Sequence, residues 1–144
     1  MSEPFRYQFR VRYAEVDPQA VVFNSRYLEY ADVLVTEYFR ACKSCGMPEE
    51  LEFHVRRAEV DYLAPIRLDE LIEGRLTVPS IGNSSMEQRI TLHGADDGSL
   101  RAEIRLVAVH VDLASGKPMP IPDNARAAFG HPVSTTVTKE RVDG

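Results

Sequence analysis

The residues able to do chemistry in this chain gather between positions 10 and 40, in the run RVRYAEVDPQAVVFNSRYLEYADVLVTEYFR. Asp17 precedes Pro18, and a residue before proline is pushed away from helical backbone angles, so its carboxylate is expected on an extended or turn segment. A few residues later the pattern becomes that of an amphipathic helix. The first N–H groups of a helix lack intrahelical partners and sit at the positive end of its dipole, which suits them to hold a developing oxyanion. A carboxylate on a loop just upstream could attack a carbonyl whose oxygen is held at that helix start. It could do so as a nucleophile or, through water, as a general base, and the sequence leaves both routes open. Asn24 stands where the helix begins and could polarise such a carbonyl through its backbone N–H or its side-chain amide, or act as a plain N-cap. The plainer role for Asp17 is to bond loop backbone, as Asx residues before proline often do, and on the residues alone that role comes first.

Other chemistries find less support. Asp32 and Glu37 lie on the helix, where most carboxylates are simply solvated, and Asp32 ranks second to Asp17. The histidines at 54, 93, 110 and 131 have no metal-ligand spacing, so no metal site is expected. The stretch GNSSM is not a nucleophile elbow, and there is no P-loop or dinucleotide glycine pattern. Cys42 and Cys45, in CKSC, close a helix instead of opening one, which favours idle thiols over a redox pair.

The elements that must position Asp17 follow from periodicity. Phe5, Tyr7, Phe9, Val11 and Tyr13 alternate with Arg6, Gln8, Arg10 and Arg12, which predicts a half-buried strand over 5–13 with Tyr13 on its core face. From Tyr27 the period is helical: Tyr27, Ala31, Leu34, Tyr38 and Ala41 form a stripe flanked by Leu28, Val35, Phe39 and Cys42. Asn24 or Ser25 is expected as N-cap, and Gly46 followed by Pro48 as the stop. Beyond residue 52 about four strands follow: FHVRRAEVDY with a bulge expected near Arg57 to Glu59, ELIEGRLTVPSIG, SMEQRITLH, and LRAEIRLVAVHV after the turn GADDGS. One strand, one long helix and four more strands predict the α+β arrangement called the hotdog fold, an antiparallel sheet of about five strands wrapped around one helix. One helix covers only one face of such a sheet, so a dimer at least is expected. The chain reads as a single domain over 1–132, with a polar tail over 133–144 expected to be flexible.

At 144 residues with 44% apolar and 27% charged composition, the chain can bury a core of its own. A net charge of -5 argues against a nucleic-acid binder, since that affinity comes largely from Lys and Arg on phosphates. No stretch approaches a spanning helix and the N-terminus carries no signal pattern, so a cytoplasmic protein without membrane contact is expected.

The run RYAEVDPQAVVFNSRYLEYADVLVTEYFR resembles the start of the acyl-CoA thioesterases of the 4-hydroxybenzoyl-CoA thioesterase and YbgC-like families. Their pattern is a carboxylate, two residues, a glycine and a few apolar residues before a Tyr-containing helix. VDYLAPIRLDELIEGRLTVPSIGNSSMEQRITL resembles their second and third strands, and the likeness runs from about residue 5 to 129. The resemblance implies acyl-CoA hydrolysis to acid and thiol at a dimer interface, in a homodimer or homotetramer. It implies no cofactor beyond coenzyme A as part of the substrate. It puts Asp17 on the catalytic carboxylate and Tyr13 on a neighbouring tyrosine, and moves catalysis ahead of backbone bonding for Asp17. Ala20 replaces the family's usual glycine, and Asn24 stands where one branch has His and the other an aromatic residue. The thiolate leaving group is stable enough to do without a strong general acid. Coenzyme A brings phosphates, for which Arg57, Arg89, Arg126 and Lys117 are candidates, with Ser84 and Ser85 as donors near a turn. A non-catalytic acyl-thioester binder is an alternative. A dehydratase or hydratase is a further one, disfavoured because no His lies near the Asp17 loop.

Overall fold

A computed structural model describes residues 3–48 and 51–130. The expected order holds: β1 (Phe5–Arg10), α1 (Arg26–Lys43), β2 (Phe53–Tyr62), β3 (Leu71–Ile81), β4 (Ser85–Gly94) and β5 (Leu100–His110), to which the structure adds a short α2 (Asp123–Ala128). The strands form one antiparallel sheet in the order β1-β3-β4-β5-β2, which leaves β1 and β2 at the edges. This is the hotdog fold.

Alternation works as expected at the start of β1, where Phe5, Tyr7 and Phe9 are half-buried and Arg6, Gln8 and Arg10 exposed. The strand ends three residues early. The Glu15 carboxylate accepts hydrogen bonds from the Arg12 backbone N–H (2.9 Å) and Nε (2.8 Å), which winds Tyr13–Glu15 into a 3-10 turn. Tyr13 is therefore swung out to 81% exposure instead of facing the core. The bulge in β2 lies between Val55 and Arg57, slightly ahead of its expected place. Helix α2 is too short for periodicity to reveal. It brings Phe129 against Tyr38, Phe39 and Phe53, closing the end of the fold near the C-terminus of α1.

Along α1 the buried residues are Tyr27, Tyr30, Ala31, Leu34 and Cys42, while Ala41 is exposed. The helix is seated on β1 and β3, where Gly74 lets Leu34 approach the sheet. The strands' other inner-face residues, among them Ile72, Leu76, Ile90 and Ile104, complete the core. Each such side chain contributes about 1.5–3 kcal/mol on burial. The outer face of the sheet is a lattice of ion pairs: Glu73 with Arg6 and Arg75, Arg105 with Glu87 and Glu59, and Arg57 with Glu59. Hydrogen bonds from Arg75 and then Arg6 hold the Glu73 carboxyl down to about 2. The tail expected over 133–144 lies outside the described residues.

Candidate active site

Asp17 sits at the tip of a small hairpin that precedes α1. Val16 bridges Val22, the Asp17 N–H donates to the Val21 carbonyl (2.9 Å), and the Ala20 N–H donates to the Asp17 carbonyl (2.8 Å). Ala20 has φ of 64°, so the four residues Asp-Pro-Gln-Ala have the bonding of a proline-containing turn closed by a left-handed residue. A glycine would be relaxed there, and alanine is not: the family's glycine marks a real backbone requirement that this chain meets under strain. The hairpin is fastened to the segment before β3 by the Val22 N–H to the Ile66 carbonyl (2.8 Å) and the Leu68 N–H to the Ala20 carbonyl (3.2 Å). That segment is fixed in turn by Glu70, which Arg101 grips through two hydrogen bonds of 2.7 and 2.8 Å. These bonds from Arg101 hold the Glu70 carboxyl below its ordinary range.

The Asp17 carboxylate is half-buried. Its Oδ1 accepts the Gln19 N–H (2.8 Å), the backbone bond expected of an Asx turn, and among the described residues no hydrogen bond engages Oδ2. The Phe23 N–H donates to the Glu15 carbonyl (3.1 Å) and closes the hairpin base, about 7 Å or two residue steps from its tip. Asn24 follows at once. At the helix start the Arg26 N–H is taken by the Phe23 carbonyl and the Tyr27 N–H by the Asn24 carbonyl. Neither Asn24 nor Ser25 caps the helix through its side chain, and the N–H groups of both are unengaged among the described residues. Tyr62 Oη donates to the Asn24 carbonyl (3.1 Å), tying the helix start to the end of β2.

Beneath the hairpin lies a buried carboxylate that the sequence had not singled out. Glu15 accepts hydrogen bonds from Arg12 and from Tyr30 Oη (2.8 Å). Burial alone would raise its pKa, but the bonds from Arg12 and Tyr30 outweigh it and leave Glu15 below its ordinary value. Tyr30 is correspondingly pushed up, first by burial and then by the carboxylate it faces. The carboxylate is fully engaged and helps hold the loop, because its own backbone carbonyl closes the hairpin.

A cavity of about 470 Å³ runs beside α1. Its helix wall is Leu28, Asp32, Val35, Thr36 and Phe39, and its sheet wall comes from β2, β4 and β5, including Val55, Gln88 and Leu106. Of the residues expected to flank the stripe of α1, Cys42 is buried in the core, while Leu28, Val35 and Phe39 line a cleft. It exists because α1 leans toward β1 and β3 and leaves the β2 side of the sheet uncovered.

The remaining candidates are scattered within the single chain. Arg57 and Arg89 lie on the outer face of the sheet, turned away from α1. Arg57 is paired with Glu59 (2.8 Å), and Arg89 borders a shallow depression beside Glu59, Asp61 and Glu103. Ser84 lies in the β3–β4 turn and Ser85 opens β4, at the end of the sheet remote from Asn24. Arg126 holds that turn by donating to the carbonyls of Gly82 (2.6 Å) and Asn83 (3.1 Å). Tyr13 projects into solvent next to the hairpin. Cys42 and Cys45 are free thiols, and burial pushes Cys42 up to about 11. Among the described residues no cluster of His, Cys, Asp or Glu is arranged to hold a metal ion, and no helix is long and apolar enough to cross a membrane.

The hotdog fold and the relatives that share it place the protein in the thioesterase class. The chain belongs to the Thioesterase-like superfamily, whose family model matches residues 11–129. The acyl-CoA thioester hydrolase YbgC of Escherichia coli O6:H1 is 30% identical over 128 residues, covering 87% of this chain and 95% of its own. The acyl-CoA thioesterase YbgC of Haemophilus influenzae is 27% identical over 137 residues, covering 91% and 98%. A thioesterase from Thermus thermophilus, solved with coenzyme A and Zn, superposes with a TM-score of 0.78 at 28% identity, over 89% of this chain and 98% of that one.

Proposed function

We propose that this protein hydrolyses an acyl-CoA thioester to the free acid and coenzyme A, with Asp17 as the attacking or water-activating carboxylate. The observation that carries the reading is the Asp17 carboxylate with Oδ2 unengaged and, at the start of α1, an Asn24 N–H likewise unengaged, both among the described residues. In this reading the thioester carbonyl oxygen lies against the Asn24 and Ser25 N–H groups, where helix dipole and backbone donors favour the negative charge that grows on attack. Asp17 attacks the carbonyl carbon to give a mixed anhydride and coenzyme A thiolate, or it takes a proton from the water that attacks. Tyr13, at the lip beside Asp17, takes a positioning role.

The site is completed by a second copy of the chain. The free edge of β2 and its exposed Val55, Tyr62 and nearby Leu63 support pairing there, whereas the outer face already satisfies its charges with ion pairs. Antiparallel pairing of two β2 edges would bring the β3–β4 turn of the partner, with its Ser84, Ser85 and Arg126, toward the Asp17 end of the first chain. That geometry gathers Ser84, Ser85 and Arg126 toward one site and leaves Arg57 and Arg89 apart on the outer face. The two free thiols accord with a cytoplasmic location.

The test is thiol release from a panel of aromatic and aliphatic acyl-CoAs, comparing wild type with a folded Asp17→Asn protein. Turnover of one acyl class, lowered a hundredfold or more by the substitution, is expected, an order typical of losing a principal acid–base group. Equal activity of Asp17→Asn would refute the assignment. A wild type inert on every thioester but binding them would make the protein an acyl-thioester binder.

A further inference from the structure

Gln88 is the anomaly of the core. On β4 the residues turned toward α1 are Met86, Gln88, Ile90 and Leu92, and all are buried. Gln88 is only 1% exposed, and its carboxamide has no hydrogen-bond partner among the described residues. Buried polar groups are nearly always paired, and a methionine or leucine would fill this place without the penalty of an idle amide. The same residue lines the cavity beside α1, so the unpaired nitrogen, itself shielded from solvent, belongs to a residue at the wall of a cleft.

The rest of the lining restricts what could satisfy it. The walls are mainly apolar, and the other polar side chains are Asp32, Thr36 and Glu52, all exposed at the mouth. Among the described residues no Lys, Arg or His lines the cavity. An acyl group ending in a carboxylate would enter past two negative charges and find no cation to pair with. A neutral oxygen meets no such barrier, and a hydroxyl can both accept from and donate to a carboxamide.

Register gives the depth. Gln88 pairs with Leu106, and Leu106 with Ala58, so the three form one row across the sheet. Tyr62, which touches the start of α1 through Asn24, lies four residues further along β2 than Ala58, or about 13 Å. Gln88 stands two strands across from Ala58, about 10 Å, and so about 16 Å from Tyr62; allowing for a hydrogen bond at each end, an acyl group held at the helix start reaches Gln88 with an oxygen on the order of 10 Å from its carbonyl carbon.

We propose that Gln88 is the specificity-determining residue of the acyl cleft, and that the preferred acyl group is uncharged and carries a hydroxyl or carbonyl oxygen near its far end. The proposal rests on the thioesterase reading above for the placement of the thioester.

The test pairs decanoyl-CoA with 9-hydroxydecanoyl-CoA, with 3-hydroxydecanoyl-CoA as a positional control, on wild type, Gln88→Met and Asp17→Asn. Wild type is expected to favour the 9-hydroxy substrate in kcat/KM by roughly tenfold, the order of one hydrogen bond made in a buried site. Gln88→Met is expected to lose that preference and to gain on decanoyl-CoA, while the 3-hydroxy substrate shows none. Asp17→Asn lowers both rates and leaves their ratio alone. Calorimetry with the non-hydrolysable thioether analogues of the same pair reads the preference without turnover. If no thioester is hydrolysed but the analogues still differ by this ratio, the hydrolase reading fails and the role of Gln88 stands. Should Gln88→Met not fold, the wild-type preference between the two analogues decides. Equal handling of both by wild type, or an unchanged ratio in Gln88→Met, overturns the proposal.

Discussion

Substituting Gly74 by alanine should unseat the helix at whose start the oxyanion site is proposed. A methyl group added at Gly74 would lie 2.5, 2.7 and 2.9 Å from the Cδ2, Cγ and Cδ1 atoms of Leu34. Carbon atoms in good contact lie about 3.5–4.0 Å apart, so the overlap approaches 1 Å with a whole isobutyl group. Leu34 is fully buried, so a new rotamer has to displace its core neighbours. The strand cannot retreat either, because Gly74 is paired with Tyr7 on one side and Leu92 on the other. Overpacking of this kind costs about 1–3 kcal/mol, partly offset by about 0.5–1 kcal/mol because alanine has less freedom than glycine in the unfolded chain. A net loss of about 1–2 kcal/mol is expected, read as a lower urea midpoint with an unchanged slope. The double variant Gly74→Ala with Leu34→Ala supplies the check. Leu34→Ala alone should lose about 2–5 kcal/mol, yet the new methyl then occupies part of the space it leaves, so the double variant should be more stable than the sum of the two by at least about 1 kcal/mol. Because a shift of about 1 Å can cost a hundredfold in rate, Gly74→Ala should also lose activity beyond its loss of stability. A midpoint unchanged within error, together with additive losses in the double variant, would refute this account of how α1 is seated.

Two further outcomes follow from the loop. Ala20→Gly should raise stability by up to about 1 kcal/mol, since relief of the left-handed alanine exceeds the entropy glycine adds to the unfolded chain; a lower urea midpoint would count against the strain. Glu15→Gln should cost about 1–3 kcal/mol at neutral pH, through the loss of charge-assisted bonds from Arg12 and Tyr30. Since the folded pKa of Glu15 lies below its ordinary value, its contribution is present in full above that value and is lost as pH falls through the folded one. The decline in wild-type stability on acidification below about pH 4.5 should therefore be shallower in Glu15→Gln, and parallel curves would contradict the role of this carboxylate.

The sequence by itself determined the elements and their order. The period of two in the strands and of three to four in α1 follows from which side chains must face a core, and these patterns are local. It also placed Asp17 on a turn, because proline acts on the residue directly before it, while the catalytic role proposed for Asp17 and the attention drawn to Ala20 at a glycine position came from the family resemblance. The early end of β1 was not legible. Tyr13 continues the alternation perfectly, and only a carboxylate two residues beyond it, gripping Arg12 and buried against Tyr30 from α1, turns it outward. The cleft was hidden for a similar reason. Leu28, Val35 and Phe39 have the spacing of core residues, and whether they pack or line a cavity depends on how far α1 leans toward β3. That lean is set where Leu34 meets Gly74, residues brought together only by the fold. Gln88 read as one more polar residue in SMEQRITL until strand register put it on the inner face. Arg57 and Arg89 read as cations available to phosphate until the same register put them on the outer one. A side chain's type is written in the sequence, but the face it shares, and with whom, is a property of pairing between distant strands, and that is where the tertiary structure decided.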